Sequence, residues 1–209
     1  MRLVVDPRDG SVRLTLPRRA QLDHGLLWAE TKRGWIEAQL ARLPTPRPIA
    51  NDMVIEVGGE ALRLDWSPDH PRKPLRGPGL IRIGGPAERL EARLIRWLKD
   101  EARALFDQET QEFAAKILVA VPPVGIGDPV SRWGSCAASG QIRYSWRLIM
   151  APCFVRRATI AHEVAHCIHM NHGAQFHALV KQLLGEDPAP ARTWLRAHGA
   201  ALHWFSRGS

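Results

Sequence analysis

Cysteine, acidic residues and long apolar runs are all scarce in this chain, and each scarcity closes off a class of protein. Cys136, Cys153 and Cys167 are the only cysteines among 209 residues. An odd trio suits free thiols in a reducing compartment, and hence a cytoplasmic protein, better than a disulfide scaffold. No two of them are spaced as a CxxC knuckle. No stretch approaches eighteen uninterrupted apolar residues, so a membrane span is not expected. The opening MRLVVDPRDG places acids and a turn where a secretory signal needs an apolar block, so export is not expected either. Neither GxxxxGK nor GxGxxG occurs, despite 17 glycines, so a phosphate loop and a dinucleotide fold have no support. Acids number 21 against 29 Lys and Arg, a formal charge of +8. That balance suits an acidic partner such as nucleic acid. Yet Arg18, Arg19, Lys32, Arg33, Arg72, Lys73 and Arg76 are spread out, with no dense tract. Nucleic acid is therefore the weaker reading of the charge.

What the chain does contain is centred on TIAHEVAHCIHMN, Thr159 to Asn171, which reads as one helix closed by His172 and Gly173. His162 and His166 are four apart and share a helical face. Glu163 lies beside the first. This is the H-E-x-x-H zinc signature, in which two imidazoles hold Zn and the glutamate activates a water.

Two histidines compete for third ligand. His169 returns to the face of His162 seven residues on, but about 10.5 Å along the axis. Zinc needs its nitrogens at about 2 Å, which that distance strains. His172 precedes Gly173, a residue able to turn the chain back, so its ring can approach from outside the helix. His162, His166 and His172 are the preferred metal set. Cys167 is expected to pack behind the histidine face.

The rest of the chain can be taken in order. Residues 2–6 and 12–16 read as strands around the Asp9-Gly10 turn. Residues 23–43 read as one helix, N-capped by Asp23 and stopped by Pro44, with Trp28 and Trp35 packed near its aliphatic stripe. MVIEV (53–57) and ALRLDW (61–66) flank Gly58-Gly59-Glu60 as a second hairpin. Residues 67–78 read as a surface loop and 80–83 as a strand. The longest helix spans 87–113 on Leu90, Leu94, Trp97, Leu98 and Leu105, with Glu101 thinning the packing of its middle turn. Strands are expected at 117–121, 130–133 and 141–146, and short helices from Phe176 and from Pro190. Ile160, Val164 and Ile168 should be the buried side of the motif helix. His24, His70 and His203 read as surface or structural.

RWGSCAASGQIRYSWRLIMAP (132–152) followed by HEVAHCIHMNHGAQF (162–176) closely resembles the YgjP-like (DUF45) metallopeptidase family, itself distantly similar to SprT-like and other zincin peptidases. Weaker likeness extends to 13–20, 32–40 and 193–202, which takes in nearly the whole chain. By position, the family's metal histidines match His162, His166 and His172, and its catalytic glutamate matches Glu163. Two departures are His177, where an aromatic usually follows the phenylalanine, and VRRAT (155–159) in place of a more hydrophobic approach to the motif.

The resulting expectation is an α+β fold. A β-rich N-terminal subdomain (1–86) with one helix precedes a zincin-like catalytic domain (87–209), where a sheet edge borders the metal and can take an extended peptide. The expected activity is hydrolysis of peptide bonds in a peptide or protein substrate, with Glu163 as base and Zn as cofactor. Tyr144, Arg132, Arg147 and His169 are open candidates for the oxyanion donor. Ser135 and Cys136 are poor nucleophile candidates, because the histidines they would need are committed to metal. Two alternatives are a metal-dependent nucleotide pyrophosphatase acting on UTP, which the resemblance implies because some similar members carry that label, and a DNA-associated protein whose zinc is purely structural. Nothing in the sequence sets an oligomeric state.

Overall fold

The computed structural model describes residues 1–206, so the last three residues of the expected second domain lie outside the described part. The chain folds as two compact units, one made of residues 1–48 with the end of the chain from 203, the other of residues 49–202. The expected division at residue 86 falls inside the second unit.

In the first unit, β1 (Arg2–Val5) pairs antiparallel with β2 (Val12–Thr15), Val5 opposite Val12. Gly10, at φ 72°, makes the turn that Asp9-Gly10 predicts. The single helix expected at 23–43 is two, α1 (Leu22–Glu30) and α2 (Arg33–Leu40). Thr31 causes the break: its hydroxyl donates to the Trp28 carbonyl at 2.7 Å, while Lys32 N–H bonds only three residues back, to Ala29. Such side-chain competition for a carbonyl bends helices. Asp23 sits in the first turn of α1 and Gln21 occupies the cap position. Trp35 is exposed, contrary to the expectation that it packs in a core.

The second unit opens with a mixed sheet in the order β3 (Val54–Val57), β4 (Glu60–Trp66), β6 (Leu80–Ile83), β5 (Leu75–Gly77). Gly58 and Gly59 both hold positive φ (68° and 98°), as a tight two-residue hairpin turn demands. β5 lies in the stretch expected to be loop, where it pairs antiparallel with β6. Alternating burial in β3, β4 and β6 places Ile55, Val57, Leu62, Leu64, Ile81 and Ile83 on one inner face.

The long helix α3 runs Leu90–Lys116 after a short 3₁₀ turn at Ala87–Arg89. Its middle is not thinly packed: Ala102 and Phe106 are fully buried, because Glu101 turns aside to pair with Arg76 at 3.2 Å. No strand forms at 117–121, where Leu118 adopts φ 57° and stands exposed. The strand comes later, as β7 (Gly125–Gly127), parallel to β9 (Ile142–Ser145), which pairs antiparallel with β8 (Gly134–Cys136). β8 therefore falls just beyond the expected 130–133 strand, and it is an edge. A buried 3₁₀ turn, Trp146–Met150, leads into α4 (Cys153–Ala165). α5 (Ala174–Leu184) ends at Gly185 in the left-handed conformation, and α6 spans Ala189–His203.

Behind α4, Arg156 makes two hydrogen bonds to Glu109 of α3, at 2.9 and 3.0 Å. Both residues are almost wholly buried. The VRRAT segment thus carries a buried ion pair into the core behind the motif. Glu109→Ala should destabilise the protein by about 3–5 kcal/mol, since it leaves a buried guanidinium without its counter-charge. Glu109→Met with Arg156→Met should recover most of that loss. Urea denaturation of the three proteins measures both, and a single variant as stable as wild type would show that the pair carries nothing.

Candidate metal centre

The motif helix is shorter than its sequence suggests. α4 stops at Ala165 with His166 as its cap, and Cys167 and Ile168 continue as a tight turn bonded three residues back. The expected helix to Asn171 is thereby overturned, and Ile168 is exposed instead of buried beside Ile160 and Val164. His169 is not among the histidines that converge. The turn brings back the chain so that α5 begins just after His172 and Gly173.

His162, His166 and His172 converge. Their available ring nitrogens all lie within 4.8 Å of one another, and the Nε2 atoms of His162 and His172 are 3.1 Å apart. Two Zn–N bonds of about 2.0–2.1 Å at a tetrahedral angle set their nitrogens roughly 3.3 Å apart, so the spacing fits a single ion. His166 Nδ1 lies 2.9 Å from the carbonyl of His169. A proton on Nδ1 makes that bond and leaves Nε2 unprotonated for a metal, the usual support for a ligating histidine. His169 thus serves through its backbone. Among the described residues the cluster has three members, short of the four protein ligands of a closed structural site.

Phe176, on the first turn of α5, is the residue whose part in the centre the sequence reading missed. Its ring stacks on His166 with centroids 4.5 Å apart and meets His162 and His172 edge-on at 4.8 and 4.7 Å. The motif pattern marks it only as a core position of α5. His177, the other departure, stacks outside His172 at 6.3 Å.

Glu163 sits beside the triad, 6 % exposed. Burial raises its carboxyl to about 7, partly offset by the positive charge of Arg132. Burial and the neighbouring imidazoles lower His162 to about 4, which keeps its ring neutral and able to ligate at neutral pH. The edge strand β8 presses directly on the glutamate: a Cβ at Gly134 would stand 2.5 Å from Glu163 Oε1. Only glycine allows strand and carboxylate to approach this closely.

Of the four oxyanion candidates, Arg132 alone lines the cleft at the centre. Tyr144 is buried with its hydroxyl 3.1 Å from Thr110 Oγ1, and Arg147 is committed to Asp128 at 2.7 Å and to the Leu202 carbonyl. Trp146 is buried, whereas Trp133 forms part of the cleft wall. Cys136 and Cys167 are free and face each other at 4.0 Å, and burial raises the Cys136 thiol to about 12, so it stays protonated.

Three convergent imidazoles beside a buried carboxylate point to a metal-dependent hydrolase as the class of protein. The chain belongs to one family within it: the family described as YgjP-like, metallopeptidase domain, matches residues 1–198. Comparison with curated proteins and with solved structures finds no match. No helix among the described residues is long and apolar enough to cross a membrane.

Proposed function

We propose that this protein is a zinc-dependent peptidase in which Glu163 is the general base and His162, His166 and His172 hold the metal. The observation that carries the reading is the contact between Glu163 and the edge strand β8. A peptide added to that edge runs its backbone past the carboxylate and the imidazoles together. A bound Zn²⁺ lowers the pKa of water towards neutrality and polarises a carbonyl. Glu163 takes the proton of the attacking water and returns it to the leaving amine. Arg132 stands at the cleft as a fixed positive charge where negative charge develops on the substrate. The buried Tyr144–Thr110 pair ties β9 to α3.

Zinc-loaded protein should cleave an unfolded protein substrate, and a chelator should abolish the cleavage until zinc is restored. UTP offered in parallel should release no pyrophosphate. Mass spectrometry of the peptides and a pyrophosphate assay read the two arms. Glu163-dependent release of pyrophosphate without proteolysis would overturn the peptidase reading in favour of nucleotide hydrolysis.

A further inference from the structure

Two cavities meet at the centre and share Gly134, His162 and Glu163. One, of about 290 Å³, lies towards Cys136, His166 and His172. The other, of about 280 Å³, opens on the far side of Gly134. A peptide lying along β8 therefore crosses from one into the other as it passes Glu163.

The second cavity has a distinct chemistry. Its walls are mostly apolar, with Trp133, Ala158, Val180, Pro188, Ala191 and Leu195 beside the single hydroxyl residue Thr159, drawn from the β8 approach, from α4, α5 and α6, and from the turn before α6. The Trp133 ring is held there by close contact with α6, where a Cβ on Gly199 would stand 2.9 Å from it. At about 280 Å³ the cavity sits at the small end of ligand sites, with room for a side chain and part of a neighbouring residue.

Arg132 and Arg192 also line it, and Glu163 is the only carboxylate among the lining residues. Both guanidiniums are exposed, and neither forms an ion pair among the described residues. Arg192 stands on the first turn of α6, close enough for its charge to act on His162. An apolar hole rimmed by Arg192 and by Arg132, whose charge also acts on Glu163, fits a ligand that is itself apolar with a carboxylate beside it, and repels one carrying a lysine there.

We propose that this cavity is a substrate subsite that selects an apolar side chain adjacent to a carboxylate, supplied by a neighbouring Asp or Glu or by the peptide's own C-terminus. The proposal rests on the peptidase reading and names its substrate class. Arg192 acts here as a specificity determinant that takes no part in bond breaking. Ordinary peptide lengths suffice, since recognition is of one side chain and one charge.

Binding is measured by calorimetry on zinc-loaded Glu163→Gln protein, which cannot turn the peptides over. The probes are matched peptides with leucine at the selected position. One carries a neighbouring glutamate and an amidated end, one a free C-terminal carboxylate, one neither, and one a neighbouring lysine. Both carboxylate peptides should bind about tenfold tighter than the lysine peptide. Leucine to alanine in the peptide should cost on the order of tenfold or more. A preference shown by the amidated glutamate peptide alone assigns the charge to a side chain, and one shown by the free-ended peptide alone assigns it to the terminus. Arg192→Glu should reverse the order of acidic and basic peptides with zinc stoichiometry unchanged, and Arg192→Gln should flatten it. Equal affinity for all four peptides, or an unchanged order in both Arg192 variants, overturns the subsite. Cleavage of the same peptides by the wild-type protein is scored separately. Ranked binding without any cleavage removes the peptidase reading, whereas cleavage without ranking removes only the subsite.

Discussion

His172→Ala should lose roughly a thousandfold in zinc affinity, while His169→Ala stays within a few-fold of wild type. Zinc sites that hold small folds together bind with about 10–16 kcal/mol. Removing one of three protein ligands at a cost of about 4 kcal/mol corresponds to that thousandfold. His169 differs because its contribution is a carbonyl, accepting from His166 Nδ1 at 2.9 Å, and alanine supplies the same carbonyl. Competition with a chromophoric chelator measures both variants. Zinc lost from His169→Ala and kept by His172→Ala would reverse the ligand assignment.

Glu163→Gln should abolish hydrolysis, by at least about 10²–10⁴-fold, and keep a full complement of zinc. The amide has nearly the shape of the carboxylate, which matters where β8 leaves so little room at Gly134. It cannot accept the proton of the attacking water. Turnover at the wild-type rate by a fully metallated Glu163→Gln protein would strip the glutamate of its assigned role. Loss of zinc along with activity would instead make it a structural support of the ligands.

Much of the metal cluster was legible because its information is local. The spacing of His162 and His166 encodes a shared helical face, and Gly173 marks where the chain can turn, both within a dozen residues. The hairpins at Gly10 and Gly58-Gly59 were legible for the same reason, since glycine at positive φ is a requirement of the turn itself. Elements decided by distant partners, or by a side chain competing for a nearby carbonyl, were not. Periodicity carries the motif helix on to Asn171, yet the chain leaves it after Ala165 and the His166 ring bonds the His169 carbonyl. Nothing in VRRAT names Glu109, 47 residues earlier, as the acid that Arg156 meets. β8 is displaced from 130–133 to 134–136 because its register is set by pairing with β9, Gly134 opposite Tyr144. The two-helix form of residues 22–40 turned on one threonine hydroxyl, a competition that helical spacing does not report.

Phe176 gives the site a property that its ligands alone would lack. Each imidazole rests against the phenyl ring, so the rotamers that aim the three nitrogens at one point are selected by packing within the protein. Flexible ligands lose side-chain freedom when a cation gathers them, and that lost entropy weakens binding. Here the ordering belongs to folding. An ion bound there would meet imidazoles already arrayed to receive it, and its affinity would reflect coordination chemistry more than the cost of assembling a site.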